Sequence, residues 1–316
     1  MRRFFGKKRS VEDAVVRAEE GTEDELKELE ESELELAMVG PYEIVAPVGR
    51  GGMGTVYKAI DRQRDLTVAI KVLDRRYDLD KKRRKRDFLG REILIAASLE
   101  HENIVRMHKE ILEQEDRDGN IRRCLLMEYI DGHNLGKYIK DRDLSVPQML
   151  DLCIRLCHGL DFLHQNGVVH RDVKPQNFLF SRNLKQVKIV DFGLSKSSAS
   201  WRTRWSKETG GTRKYMSPEQ LAKRSLDARS DIFSFGLTMY ELFTGKHPCT
   251  ATDARELVRQ IRSTKYRFQP PSKHNPQISP QLDRIILKTL RRHPSRRYQS
   301  VTELLLDMTR IGESRI

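Results

Sequence analysis

The chain has 316 residues, of which 38% are hydrophobic and 33% charged, with a formal net charge of +13. This length allows one or two domains with a sizeable core and excludes a small module held together by a metal or disulfides. Its longest apolar runs, such as Ile93 to Leu99, are too short to cross a bilayer, and no apolar stretch follows the basic start MRRFFGKKRS, so a cytoplasmic chain without a membrane segment is expected.

Residues 1 to 10 read as a basic arm and 11 to 36 as a charged helix with a weak apolar stripe (Val15, Leu26, Leu29, Leu36). Residues 11 to 40 carry twelve acids against Arg17 and Lys27, a net of −10, so the remainder of the chain carries +23. Dense Lys and Arg raise a nucleic-acid reading, but it explains the charge alone, and no nucleic-acid partner is expected. The split reads as two solvated surfaces of opposite sign, with an acidic segment able to lie on a basic body and limit substrate access as the alternative. From Tyr42 the pattern becomes short β-branched runs, YEIVAPVG, TVYKAID and LTVAIKVL, separated by Gly, Arg or Asp turns as antiparallel strands are. A helix is expected from about Lys82 to Leu99, its basic start KKRRKR solvated, followed by a hairpin turning at Asp118-Gly119-Asn120 and ending in CLLMEYI. After Gly132 helices dominate, in VPQMLDLCIRLCHGLDFLHQNG, in SDIFSFGLTMYELFTG, and over Leu282 to Leu290 and Val301 to Ile311. The outcome is an α+β chain: an N-terminal extension over 1–41, then one domain over 42–312 with a small antiparallel β-sheet lobe (42–130) and a helical lobe (131–312). The four cysteines, Cys124, Cys153, Cys157 and Cys249, lack paired CxxC spacing and read as reduced core thiols in preference to a metal site.

Four short motifs carry chemistry. In GRGGMGTVY, Gly49 to Tyr57, glycines at 49, 51 and 54 let a turn between strands bring backbone amides close to phosphate oxygens. The run opens onto a strand, not a helix, which argues against a dinucleotide-binding fold. Val68-Ala69-Ile70-Lys71 sets an ammonium amid apolar neighbours; Glu92 on the following helix is its natural counter-charge, the alternative being an exposed lysine and a solvated glutamate. HRDVKPQN, His170 to Asn177, clusters Asp172, Lys174 and Asn177 on a loop after a helix, and Asp191 opens DFG at the end of a strand pair. Phosphoryl transfer needs carboxylate and amide oxygens for magnesium and one carboxylate at the acceptor hydroxyl, and these residues supply both.

In this order the motifs resemble the eukaryotic-like (Hanks-type) protein kinases, from about Tyr42 to Ile311, and GRGGMGTVYKA, HENIV, HRDVKPQN and GGTRKYMSPEQ resemble the bacterial serine/threonine branch. The resemblance implies a bilobal protein-kinase-like fold and transfer of the γ-phosphoryl group of ATP, with Mg2+ (or Mn2+ in its place), to Ser/Thr hydroxyls of proteins, including the chain itself, with a catalytically weak pseudokinase scaffold as the alternative. It gives Asp172 the acceptor proton, Lys174 the γ-phosphate, Asn177 and Asp191 the metal, and Lys71 paired with Glu92 the nucleotide phosphates. It makes Val48-Gly49-Arg50-Gly51-Gly52-Met53-Gly54-Thr55-Val56 the nucleotide loop. Val56 and Ala69 would sit above adenine and Leu179 below it, with the backbone of Glu128 and Ile130 reading its edge behind Met127. Lys174 and Gly211-Thr212 before Tyr215 resemble the serine/threonine rather than the tyrosine class, and Thr212 joins the catalytic residues on that resemblance. The usual Ala-Pro-Glu is Ser217-Pro218-Glu219 here, with Glu219 expected to pair with Arg296. Asp231 is expected either to anchor the catalytic-loop backbone or to cap its helix. Arg171 is expected to meet a phosphorylated residue of the segment between Asp191 and Glu219, with Glu208 partly replacing that phosphate, and Trp201 and Trp205 to pack on the lobe or to serve in docking. Partners implied are protein substrates and a second copy for trans-autophosphorylation.

Overall fold

The computed structural model describes residues 37–51, 53–74, 88–116, 119–141, 144–192 and 213–313, with residues 88, 89, 91, 92 and 313 described by backbone alone. The expectations for residues 1–36, for KKRRKR, and for Glu208, Trp201 and Trp205 fall outside these residues.

The chain divides into two compact units, one of residues up to Arg86 with Glu110–Tyr129, the other of Asp87–Lys109 with Ile130–Ile316. In the first unit the expected strands form as β1 (Met38–Val39), β2 (Tyr42–Gly51), β3 (Gly54–Asp61) and β4 (Leu66–Leu73), joined by β5 (Met107–Glu115) and β6 (Ile121–Glu128). They make one six-stranded sheet in the order β1-β2-β3-β4-β6-β5. The sheet starts at Met38, inside the stretch expected to be extension, because Met38 and Val39 pair with Glu43 and Tyr42. Alternation along the strands gives the two faces different jobs. Tyr57, Ala59, Val68, Ile70, Val72, Cys124 and Leu126 share one apolar cluster with Val39, Tyr42 and Ile44. In the turn after β5, Asp116 accepts hydrogen bonds from the Asn120 N–H and Nδ2, and Gly119 adopts φ +79°.

The second unit carries the helices: α1 (Phe88–Ala97), α2 (Leu135–Asp141), α3 (Val146–Gln165), α4 (Pro218–Leu221), α5 (Ala228–Thr244), α6 (Ala254–Arg262), α7 (Pro280–Thr289) and α8 (Val301–Glu313). A three-stranded sheet of β7 (Gly132–Asn134), β8 (Phe178–Ser181) and β9 (Val187–Ile189) lies among them. The segment holding α1, expected in the first lobe, groups with this unit because the residues after it zip onto β9. Ile104 bridges Ile189, the Ile189 N–H donates to the Asn103 carbonyl at 2.9 Å and the Val105 N–H to the Ile189 carbonyl at 3.0 Å. α3 starts where Gln148 Oε1 accepts from the Ser145 N–H, and its buried side runs through Cys153, Leu156, Cys157, Leu160 and Leu163. Cys157 meets Met308 of α8, sulfur to sulfur, at 3.9 Å. α5 is buried along nearly its whole length, capped by Asp227 at its start and ended by Gly245 in the left-handed conformation, φ 66°, which glycine adopts without strain. All four cysteines are buried and free; burial pushes the thiols of Cys153 and Cys157 up, and that of Cys249 to about 12, so they behave as inert apolar groups.

Candidate active site

In the first unit the expected nucleotide residues converge through strand register. Val56 stands opposite Lys71 and Lys58 opposite Ala69, while Lys71 and Ala69 stand opposite Leu125 and Met127. Directly opposed residues project to the same side, so Val56, Ala69, Lys71 and Met127 share one face of the sheet, the one turned from the Tyr57–Ile70–Leu126 core. Lys71 is only 2% exposed. The β2–β3 turn brings Gly51 opposite Gly54. Gly54 has φ +146°, and a Cβ there would meet the Val72 carbonyl oxygen at 2.0 Å, whereas a Cβ at Gly49 or Gly51 meets nothing within 4 Å. Gly54 is therefore demanded by the sheet, while Gly49 and Gly51 keep the outer edge of the turn bare, as a backbone offered to a ligand must be. Val48 is exposed and Met53 buried; Arg50 and Thr55 pair across the same turn, and Glu128 lies opposite Val68 at the end of the ladder. Gly52 lies outside the described residues.

In the second unit the catalytic loop is held from several sides. Buried Asp231 of α5 accepts from the His170 N–H at 2.7 Å and the Arg171 N–H at 2.8 Å, and from His164 Nε2 of α3 at 2.8 Å. Burial alone would raise the Asp231 carboxyl, but these donors and the two histidines hold it below the usual carboxylate range. Asp231 is thus the anchor, and the cap of its helix is Asp227. Arg171 sits at φ 69°, a left-handed conformation that L side chains rarely adopt. Its N–H is taken by Asp231 and its carbonyl by Gln220 Nε2 at 2.8 Å, so both adjoining peptides are pinned. His170 donates from Nε2 to the Val190 carbonyl at 3.0 Å and accepts at Nδ1 from the Asp172 N–H at 3.3 Å, which fixes one ring tautomer and ties the loop to the end of β9.

Within the loop, Asp172 Oδ2 lies 3.4 Å from Lys174 Nζ and accepts from Asn177 Nδ2 at 3.1 Å, which also donates to the Asp172 carbonyl at 2.7 Å. With the Asn177 nitrogen so used, its Oδ1 is the oxygen turned to other partners. The short turn Pro175–Asn177 leads into β8, and the Val190 N–H donates to the Asn177 carbonyl at 3.0 Å. Val190 thus faces Asn177 across the strand pair, and Asp191 follows it at φ 60°, with Phe192 buried after it. Amide and carboxylate oxygens are the ligand types that suit a hard divalent cation, which completes its shell with water and phosphate. Leu179 follows on β8, half-buried, and Ile130 falls in this unit too.

Glu92 is in α1, but its side chain is outside the described residues, as is Thr212. The expected partner of Glu219 is corrected. It is Arg297, whose Nη1 and Nη2 meet the two Glu219 oxygens at 2.6 and 2.8 Å; Arg296 is exposed. The turn Pro294–Arg296 ends at Arg297, which resumes extended backbone and points inward. Burial pushes the Glu219 carboxyl up, but Arg297 and the Ser230 hydroxyl, at 2.7 Å, outweigh it, and the group sits below the usual carboxylate range. Ser217 is fully buried and caps α4, accepting from the Gln220 N–H while Gln220 Oε1 accepts from its own. Ahead of α4, the Tyr215 hydroxyl donates to Glu241, and burial beside that carboxylate pushes the phenol well up. Sequence reasoning missed His164, Gln220 and Arg297; His164 shares its helix with His158, Asp151, Arg155 and Asp161, so no local signal singled it out.

Residues 42–307 match the family model described as protein kinase domain. The chain is 34% identical over 276 residues to the serine/threonine-protein kinase PknB of Mycolicibacterium smegmatis, covering 86% of this chain and 43% of that protein. It is 36% identical over 273 residues to a probable serine/threonine-protein kinase of Streptomyces coelicolor, covering 85% and 39%. It thus spans about two fifths of the length of these curated relatives. Among solved structures it is similar to the kinase domain of Mycobacterium tuberculosis PknI, with a TM-score of 0.62 and 27% identity over 86% of this chain and 97% of that one. It is also similar to Rad53 in complex with AMP-PNP, with a TM-score of 0.67 and 25% identity over 84% and 64%.

Proposed function

Since the chain belongs to the protein kinase domain family, we propose that it is an ATP-dependent serine/threonine protein kinase that transfers the γ-phosphoryl group of Mg-ATP to hydroxyls of proteins, itself included. The observation that carries this reading is the catalytic loop, where Asp172, Lys174 and Asn177 lie within hydrogen-bonding or ion-pairing reach of one another on a backbone clamped by Asp231. Asp172 takes the proton of the acceptor hydroxyl as its oxygen attacks the γ-phosphorus and the bond to the ADP oxygen breaks. With Oδ2 held by Lys174 and Asn177, its carboxylate keeps one orientation toward that hydroxyl. Lys174, beside it, steadies the γ-phosphate, and the buried Lys71 ammonium, on the sheet face shared with Val56, Ala69 and Met127, holds the α and β phosphates. Magnesium, or manganese in its place, would be held by Asn177 Oδ1 and the Asp191 carboxylate, and supplies charge neutralisation on the phosphates when bound. The Gly49–Val56 turn covers the phosphates, Val56 and Ala69 contact adenine with Leu179, and Glu128 and Ile130 read its edge behind Met127. Glu92 is assigned to Lys71, and Thr212 to the acceptor side. The working domain is residues 42–312. Among the described residues no helix is long and apolar enough to cross a membrane; a cytoplasmic site of action and dimerisation for trans-autophosphorylation complete the reading.

The test incubates the full chain with magnesium and γ-labelled ATP, alone and with generic protein substrates, beside Asp172→Asn and Lys71→Met. Labelled phosphoserine or phosphothreonine that falls at least ~100-fold in both variants supports the assignment. Nucleotide binding without any transfer by the unaltered chain would instead indicate a pseudokinase scaffold.

A further inference from the structure

The second unit carries positive charge that phosphoryl transfer does not use. Residues 255–297 contain twelve Arg and Lys against Glu256 and Asp283, a net of +10. Arg297 is consumed by Glu219, and Asp283 is turned to Ser272, whose N–H donates to it at 2.9 Å. What remains gathers on α6 and its flanks. Arg255, Arg259 and Arg262 are all exposed and recur at helical spacing along one stripe. Arg292 donates from Nε and Nη2 to the carbonyls of Ile261 and Gln260, so the exposed Arg291 next to it stands at the C-terminal end of α6. Burial, and then the like charges of Arg267 and Arg291, hold the Arg292 guanidinium below its ordinary value. Among the described residues, Arg259 alone of Arg255, Arg259, Arg262, Lys265, Arg267 and Arg291 has an ion-pair partner, Glu256, at 2.6 Å. The packing of α6 does not call for these cations, since its buried positions are Gln260 and Ile261. Like charges gathered on one face repel one another and concentrate anions beside it.

This face belongs to the same unit as the catalytic loop and lies within reach of it. Asp172 follows Arg171, whose carbonyl accepts from Gln220 Nε2 of α4 at 2.8 Å, and α4 packs against α6. These steps bound the separation of Asp172 from the nearest residue of α6 at on the order of 25 Å, about eight residues of extended chain. The loop between α5 and α6 makes a second link. The Thr250 N–H donates to Gln260 Oε1 of α6 at 3.0 Å, and His247 Nε2 donates to the Lys214 carbonyl at 2.9 Å, its Nδ1 being taken by the Cys249 N–H. Arg255 and Arg262 are separated by a rise of ~10 Å along the helix, which three residues of extended chain match. We propose that the basic face of α6, Lys265, Arg267 and Arg291 docks acidic segments of the protein substrate, so that the chain selects Ser/Thr acceptors with a block of Asp and Glu roughly eight residues away. The proposal rests on the kinase reading above for the acceptor; the selection rests on the stripe. Closeness to Asp172 favours a protein substrate over a nucleic acid as the occupant.

The test uses the full chain, magnesium, γ-labelled ATP and peptides with a single serine. In two sets, a block of five glutamates, glutamines or lysines stands about eight residues before or after that serine. In one set, the glutamate peptide is expected to have a KM at least ~10-fold below that of the glutamine peptide at 20 mM NaCl, with kcat unchanged. The gap should close at 500 mM NaCl as screening shortens the reach of exposed charges. In Arg255→Glu/Arg262→Glu the advantage is expected to pass to the lysine peptide, with kcat for the glutamine peptide and the thermal midpoint unchanged. Equal KM for glutamate and glutamine peptides in both sets overturns the proposal and leaves the kinase reading standing. So does a glutamate advantage that survives in the arginine variant. Fluorescence anisotropy of the labelled peptides without ATP separates the two readings: glutamate binding that needs the arginines, with no transfer to any peptide, removes the kinase reading and keeps the acidic docking surface. Tighter binding of a single-stranded oligonucleotide of equal charge through the same arginines overturns the proposal in favour of nucleic acid.

Discussion

Replacing Arg297 by methionine should destabilise the second unit by about 3–5 kcal/mol, the usual cost of removing one partner from a buried ion pair. The magnitude follows from how fully the guanidinium is committed. Besides the two bonds to Glu219, Nε donates to the Arg291 carbonyl at 2.7 Å, Nη1 to that of Arg229 at 2.7 Å and Nη2 to that of Arg292 at 2.9 Å, so all five N–H groups are used in a side chain with no exposure. Methionine fills similar volume but takes both guanidinium bonds from a buried carboxylate and leaves three carbonyls short of a donor. For a unit of this size the midpoint of thermal unfolding should fall roughly 6–20 °C, measured by circular dichroism alongside Arg296→Met, whose exposed side chain predicts a change within about 0.5 kcal/mol. A Glu219→Gln/Arg297→Met double variant should be less destabilised than the sum of the singles, because each removes the same pair. The sign of the pH dependence is fixed too. Glu219 is depressed in the folded chain, so its contribution is complete above its ordinary value of 4.5 and disappears as pH falls through the folded value; the gap between the unaltered chain and Arg297→Met should narrow over that acid range. Equal midpoint shifts in the two arginine variants, or a loss under 1 kcal/mol in Arg297→Met, would refute the account of this anchor.

Gly54→Ala, which forces a methyl into the Val72 carbonyl at an unfavourable φ, should cost about 1–3 kcal/mol in urea unfolding of the first unit. Gly49→Ala and Gly51→Ala should leave unfolding unchanged, so a rise in KM for ATP in either variant reports contact with nucleotide. His164→Leu removes a donor from buried Asp231 and should cost about 1–3 kcal/mol, with kcat falling more than KM for ATP changes. Ser217→Ala, which deletes the cap of α4, should cost about 1 kcal/mol by thermal unfolding and slow turnover without altering ATP affinity.

What could be read in advance is what lies close together in the chain. Asp172, Lys174 and Asn177 fall within six residues of sequence, so any loop folding there gathers them, and Asp191 is returned to Asn177 by one hairpin, β8 to β9. The strands of the first unit declared themselves through alternation, and α3 and α5 through long apolar periodicity. α2 and α6 were not read because they are short and, in α6, dominated by arginine, so little apolar stripe remains to signal a helix. β1 has only two residues and is recognisable from its partner alone. The choice between Arg296 and Arg297 depends on where one short turn ends, since adjacent residues leave a chain in different directions. His164 looked like one more polar position of an amphipathic helix, and the tertiary approach of α5 gives it a carboxylate.

Arg171 offers one last consequence. Its two peptide groups are fastened to different helices, one by way of Asp231 and the other by way of the amide side chain that closes the first turn of α4. A polypeptide that presses on the strip from Lys214 to Ser217 and tilts α4 would thus tug the main chain one residue ahead of Asp172. Occupancy beyond the phosphate-handling groups can in this way alter turnover with no atom of the visitor reaching them.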